Sequence, residues 1–217
     1  MPTPKTPQSS RAPRQDRSRA TLERVLASAE QLLDERLFDA ISMADIARHA
    51  GVSVGVIYTR FSSKEALLPA LFERHNAAVT GRMQSLFESL GREPLLHPRI
   101  RLVVDFAIDY NRRHFGLLRA LTVHVRSHPE SVPAQVFGER AGQYRAVAEA
   151  VLGDVGAVPG PRPLESMEFL LTVVHSVCRD EILFGDVAPL REHRRGVRAL
   201  RNRLVHLVHS AITTTPE

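Results

Sequence analysis

The sequence predicts an all-α protein of about nine helices, a small N-terminal three-helix domain followed by a larger C-terminal helical one. Three observations carry this. Apolar residues recur at spacings of three and four nearly throughout. No segment alternates with period two for long enough to make a strand. Proline and glycine fall between the periodic stretches, where they punctuate helices.

The first periodic stripe is Leu22, Val25, Leu26, Ala29, Leu32 and Leu33, ending near Leu37 and Phe38. Ser42 is placed to cap a second helix, with Asp45 as the reciprocal acidic partner of a short capping box. That helix ends at Ala50-Gly51, where glycine accepts a left-handed turn. A third begins at Ser53 and runs to about Thr59. Ser62 caps a fourth, with Glu65 at its third position and Leu67, Leu68, Leu71, Phe72, Val79, Met83 and Leu86 on its apolar face. Pro69 inside that helix removes a backbone hydrogen bond and is expected to kink it.

Longer helices follow. Pro94 and Pro98 precede one carrying Ile100, Val103, Val104, Phe106, Ala107 and Tyr110; the next spans about Leu117 to Ser127. Pro133 suits the first turn of a helix bearing Phe137, Ala141, Tyr144, Ala148 and Val151. After the loop-like GAVPGPRP, two more are expected, Leu164 to Phe184 and Leu190 to Ile212. The domains are therefore read as 1–16, a disordered basic arm; 17–62, a helix-turn-helix domain; and 63–217, the C-terminal domain.

Composition narrows the function. Lys and Arg total 29 against 24 Asp and Glu, so the location of the positive excess matters more than its size. Six basic residues precede residue 25, and Arg191, Arg194, Arg195, Arg198, Arg201 and Arg203 form a second cluster. The single cysteine, Cys178, excludes an intrachain disulfide and fits a reducing compartment. The N-terminal stretch has no apolar core of a secretory signal, and no apolar run is long enough to span a bilayer. A soluble, cytoplasmic protein without membrane association is expected.

The stretch DIARHAGVSVGVIYTRFSSKEALL, Asp45 to Leu68, is a short helix, a glycine turn and a second short helix. Ala47, Val52, Ile57 and Phe61 are the positions that pack the pair on the first helix, which turns Val54, Gly55, Tyr58 and Thr59 outward. A helix so presented fits the major groove, and groups at its flanks, Ser42 and Lys64, fix its register on phosphates.

Residues from about Arg17 to Phe72 resemble the DNA-binding domain of the tetracycline-repressor (TetR) family. The resemblance rests on Asp45-Ile46-Ala47, Ala50-Gly51-Val52-Ser53, Gly55, Tyr58, Phe61, Lys64, Glu65 and Leu67. It implies a homodimeric transcriptional regulator, usually a repressor released from a palindromic operator by a small molecule. The C-terminal helices would bind that molecule and dimerise. DNA contact is assigned to Ser42, Ser53, Val54, Gly55, Val56, Tyr58, Thr59, Arg60 and Lys64. Leu37 departs from the glycine common after the first helix. Val54 and Val56 lack hydrogen-bonding groups and suit thymine methyls instead. The basic arm either adds a salt-sensitive attraction to DNA or merely solubilises the chain.

In the last helix Val197, Leu200, Leu204, Leu207 and Ala211 follow a three-four spacing with arginines on the other faces. A membrane-surface helix and a partner seam both fit this pattern. The preceding helix, MEFLLTVVHSVC, is too apolar to stand exposed, so pairing of both across a two-fold axis is favoured. A mostly apolar effector cavity is expected around Phe106, Tyr110, His124, Phe169 and His175, with a neutral or anionic, partly hydrophobic ligand. Core filling by the same side chains is the rival reading. The pairs His124/His128, His175/Cys178 and His206/His209 share helix faces, but zinc requires about four converging ligands. No metal or other cofactor is expected. An architectural DNA-binding dimer without effector is the first alternative, and an enzyme using C-terminal His, Cys or Arg residues the second.

Overall fold

A computed structural model describes residues 11–129, 134–154, 162–185 and 196–214. Among them are nine α-helices and no strand: α1 (Arg11–Glu35), α2 (Met43–Ala50), α3 (Val54–Tyr58), α4 (Leu67–Arg92), α5 (Leu96–Arg113), α6 (Phe115–Ser127), α7 (Ala134–Leu152), α8 (Pro163–Leu183) and α9 (Gly196–Thr213). A 3₁₀ turn, Phe38–Ala40, lies between α1 and α2. The chain divides into two compact units, Met1–Arg74 and His75–Glu217.

The N-terminal unit closes on Val25, Leu26, Ala29, Leu32 and Leu33 of α1, Ile46 and Ala47 of α2, Ile57 of α3, and Leu67, Leu68 and Leu71 of α4. Because those three α4 leucines are fully buried with this unit, the division falls at Arg74/His75, later than the expected boundary at residue 62. Arg74 belongs to the same unit, ion-paired with Glu23 and, at 3.2 Å, with Glu30 on α1. Burial holds the Glu30 carboxyl above its ordinary range despite the guanidinium beside it.

Three local expectations are corrected. α1 starts at Arg11, so the last residues assigned to the arm are helical; Pro13 sits in the first turn, where its missing N–H has no helical partner to lose. The same reason removes the expected kink at Pro69, the third residue of α4. The serine that accepts from the turn ahead of α4 is Ser63, whose Oγ takes the Ala66 N–H at 3.3 Å, and not Ser62. α1 ends without a left-handed residue: Leu37 is extended, at φ −65° and ψ 147°, and leads straight into the 3₁₀ turn. Pro133, most of GAVPGPRP and the start expected for the last helix at Leu190 lie outside the described residues.

The C-terminal unit packs around α5, α8 and α9. Its core contains Leu86, Leu90, Ile100, Val104, Ile108, Val151, Met167, Leu171, Val174, Cys178, Leu204 and Val208. Burial pushes the Cys178 thiol up to about 12, so it serves as a small apolar core residue. The buried Arg99 donates through Nη1 to the carbonyls of Ala150 and Val151 at the end of α7, both at 3.3 Å, and through Nε to the main-chain carbonyl of Glu93, just past α4, at 2.5 Å. These are orphan carbonyls that a helix C-terminus leaves without partners, and a buried cation answers them.

Candidate nucleic-acid interface

The helix-turn-helix is set by a complete capping box. Ser42 Oγ accepts the Asp45 N–H at 3.1 Å, and Asp45 Oδ2 accepts the Ser42 N–H at 3.0 Å. The Ser42 hydroxyl also donates to Asp45 Oδ2 at 2.7 Å. These bonds from Ser42, side chain first, hold the Asp45 carboxyl below its ordinary range. Ser42 Oγ is thus occupied with capping, and the free N–H groups of the helix start are the donors it leaves available to an anion. α2 ends at Gly51, left-handed at φ 65° and ψ 39°, and the Val52 N–H returns to the Ala47 carbonyl at 3.0 Å. That turn leads into α3, which packs against α2.

α3 anchors itself through Ile57, which is buried, while Val52 and Phe61 are half-buried. Gly55, Val56, Tyr58, Thr59 and Arg60 are exposed and Val54 is half-exposed. Tyr58 exposes 52% of its surface, an unusual display for a tyrosine that has a core beside it. A side chain at Gly55 would meet nothing closer than Ser53 Oγ at 4.0 Å, so this position offers open backbone to a partner. Ser53 occupies the N-cap position of α3 without making a side-chain cap bond. Thr59 Oγ1 donates to the Val56 carbonyl at 2.7 Å.

Two expected contact residues are already employed. Arg60 donates to the Ser18 carbonyl at 3.1 Å and to the Ser18 hydroxyl, tying the end of α3 to α1. Lys64 Nζ donates to the Phe38 carbonyl at 2.8 Å and lies over the Phe38 ring. Periodicity gave no sign of either partner, since both are distant in sequence. The exposed face is therefore apolar and small at its centre (Val54, Gly55, Val56), with Tyr58 at its edge. This surface suits a groove floor more than a network of polar base contacts.

The cleft described in the C-terminal unit is lined by two of the five residues expected around one cavity. Phe106 and Tyr110 do share a cleft, their rings nearly parallel at 6.2 Å. Phe169 stands 67% exposed on α8. His124 stacks on His128 at 4.9 Å, and His175 sits edge-on to Tyr144 at 6.0 Å. The cleft holding Phe106 and Tyr110 has a volume of about 580 Å³ and is charged, where an apolar cavity was expected. Arg82, Asp105, Asp109, Arg113 and Arg201 all contribute to it. They come from α4, α5 and α9, a juxtaposition with no one-dimensional signature.

The expected dimer seam also divides. Leu204 is buried in its own chain's core, with Val197 and Leu200 partly buried against it, whereas Leu207 and Ala211 are exposed. At about 100° per residue these five positions lie within an arc of roughly 80°, along one edge of the face that α9 buries with Val205, Val208 and Ile212. Among the described residues no group of three or more His, Cys, Asp or Glu converges as a metal site, and no helix is long and apolar enough to cross a membrane.

Comparison with known proteins bears on this geometry. Residues 25–71 match the family model described as bacterial regulatory proteins, tetR family. The HTH-type transcriptional regulator EthR of Mycolicibacterium smegmatis is 31% identical over 128 residues, 59% of this chain and 56% of that protein. The HTH-type transcriptional repressor NemR of Escherichia coli K12 is 39% identical over 69 residues, 32% of this chain and 35% of that one. The matches thus span little more than half of these relatives' length at most. A crystal structure of a tetR-family transcriptional regulator from Mesorhizobium loti superposes with a TM-score of 0.67 at 17% identity, covering 90% of this chain and 96% of that one, which shows the shared fold. Over its N-terminal helix-turn-helix the chain is thus similar to bacterial regulatory proteins of the tetR family, and it shares the fold of a solved tetR-family regulator.

Proposed function

We propose that the protein is a sequence-specific DNA-binding transcriptional regulator, a homodimeric repressor released from a palindromic operator by a small-molecule effector. The observation that carries the DNA-binding reading is α3, which buries Ile57 and leaves Gly55, Val56, Tyr58 and Thr59 exposed beyond a capped α2. A helix of this kind is complementary to a major groove, and its match to regulators over residues 25–71 supports the same partner. Exposed Phe169 on α8, with Leu207 and Ala211 on α9, supports self-association, because large apolar side chains gain from being covered. Such a regulator works in the cytoplasm, beside the chromosome.

Selection of bound fragments from the source genome, followed by footprinting, tests this reading. The expected result is a palindromic footprint whose half-sites lie about 34–36 Å apart or a multiple of it. Binding that shows no sequence preference would point to an architectural protein instead. Release of the selected operator by a metabolite extract is the expected sign of the effector.

A further inference from the structure

We infer that the cleft between α4, α5 and α9 is an anion-binding site for a small carboxylate with an apolar or aromatic body, held by Arg82 against the wall of Phe106 and Tyr110. The inference deepens the ligand-responsive reading above and rests on it for its regulatory consequence. The volume of about 580 Å³ lies inside the range of roughly 300–1,000 Å³ that small-molecule sites occupy.

Charge selects the ligand class. Three arginines, Arg82, Arg113 and Arg201, and two aspartates, Asp105 and Asp109, line the cleft. Both aspartates are engaged: Arg113 Nε donates to Asp109 Oδ2 at 2.6 Å, and Arg201 is paired with Asp105. Arg82 pairs with no carboxylate among the described residues. Its Nη1 instead donates to Nε2 of His114 at 2.9 Å, which makes that imidazole nitrogen an acceptor. A neutral imidazole answers one N–H of a guanidinium fork. A carboxylate answers two at once, with a charge-assisted bond at each. One positive charge in the cleft is thus left without its strongest kind of partner, and an anionic ligand supplies it.

The aromatic pair sets the other half of the specificity. Phe106 and Tyr110 stand one helical turn apart on α5 with rings only 11° from parallel, presenting a stepped apolar wall. Tyr110 is fixed by a 2.6 Å hydrogen bond between its hydroxyl and Nε2 of the buried His75 on α4. α4 carries both Arg82 and His75, and its first turns carry Leu67, Leu68 and Leu71 of the N-terminal unit. A carboxylate that recruits Arg82 therefore acts on the helix that continues into the DNA-binding unit.

Calorimetric titration of the full-length protein with phenylacetate and octanoate, each beside its uncharged amide, tests the site. The acids are expected to bind at least tenfold more tightly than the amides. Arg82→Gln should weaken the acids at least tenfold and leave the amides unchanged, with its thermal transition retained. Arg82→Lys, which keeps the charge but not the planar fork, should fall between. Arg92→Gln, outside the cleft lining, should bind as the unaltered protein does. Equal binding of acid and amide, or undiminished acid binding by the Arg82→Gln protein, would overturn the proposal. Operator binding on the same samples separates the two readings. Carboxylate binding at Arg82 without loss of DNA affinity keeps the anion site and removes its regulatory role. Release of DNA by a metabolite extract, with no carboxylate bound, removes this site and keeps a ligand-responsive regulator.

Discussion

The ammonium of Lys64 donates to the main-chain carbonyl of Phe38 at 2.8 Å while standing 4.5 Å from the centre of that residue's ring. The bond spans 26 positions in sequence and pins the 3₁₀ turn that follows α1 to the segment that precedes α4. Charge-assisted hydrogen bonds contribute about 1.5–3 kcal/mol, and partial exposure places this one toward the lower end. Lys64→Ala should lower the urea midpoint by an amount equivalent to about 1–2 kcal/mol. Operator affinity should fall with it, because the turn helps place α2. The salt slope should stay unchanged, whereas loss of a lysine that meets phosphate removes about one unit. An unchanged urea midpoint with a shallower salt slope would return Lys64 to the DNA backbone.

Gly153 and Arg99 form a second tertiary device. Gly153 sits at φ +26°, and a Cβ built there would lie 2.4 Å from Arg99 Nη1, the same atom that serves Ala150 and Val151. Gly153→Ala must therefore push the guanidinium off the α7 carbonyls or strain the turn. A loss of about 1–3 kcal/mol is expected in denaturant unfolding. Arg99→Met should cost at least as much, since it leaves the buried carbonyls without their donor. Retention of full stability in both variants would show that the end of α7 is satisfied in another way.

His75 makes stability depend on pH. Burial is the main cause that pushes its imidazole down to about 4, and the nearby Arg82 guanidinium also opposes a second positive charge. In the unfolded chain it takes up a proton near 6.5, whereas the native state resists protonation until about 4. The unfolded state thus binds more protons between these values. The stabilisation is present in full above 6.5 and is lost as pH falls toward 4. At about 1.36 kcal/mol per pH unit this amounts to roughly 3 kcal/mol. His75→Gln, which can still bond Tyr110, should be less sensitive to acid than the unaltered protein when both are unfolded in urea at pH 7.5 and 4.5. Parallel pH dependences would mean that His75 is already protonated in the native state.

The apolar residues of α9 should separate by exposure. Leu207 is 46% exposed and Leu204 only 4%. Leu207→Glu, combined with Phe169→Glu on α8, should leave each chain folded and yield monomers in sedimentation. Leu204→Glu buries a carboxylate in the chain's own core and should unfold it before any interface is tested. A Phe169/Leu207 double variant that still sediments as a dimer would move the interface elsewhere.

Much of the architecture was legible in the chain itself, because helix formation leaves local marks. The α1 stripe from Val25 to Leu33, the Ser42/Asp45 box and the left-handed Gly51 are each specified within a few residues of one another. So is the outward face of α3, since Ile57 is its buried anchor and the neighbouring positions must then point away. Proline was harder to read: Pro13 and Pro69 break helices only in their interiors, and both fall in a first turn whose exact start the periodicity does not give.

What only the tertiary structure decided are the relationships between residues far apart in sequence. Lys64 and Arg60 looked free until Phe38 and Ser18 came within reach of them. The cleft chemistry depends on Arg82, Asp109 and Arg201 meeting from three helices. Of the five aromatic and imidazole groups expected around one cavity, Phe106 and Tyr110 share that cleft, standing one turn apart on α5. Periodicity reports that a helix has a buried side; it cannot say whether that side is covered by its own chain, as at Leu204, or left open, as at Leu207. That distinction rests on packing, and packing is a property of the folded chain.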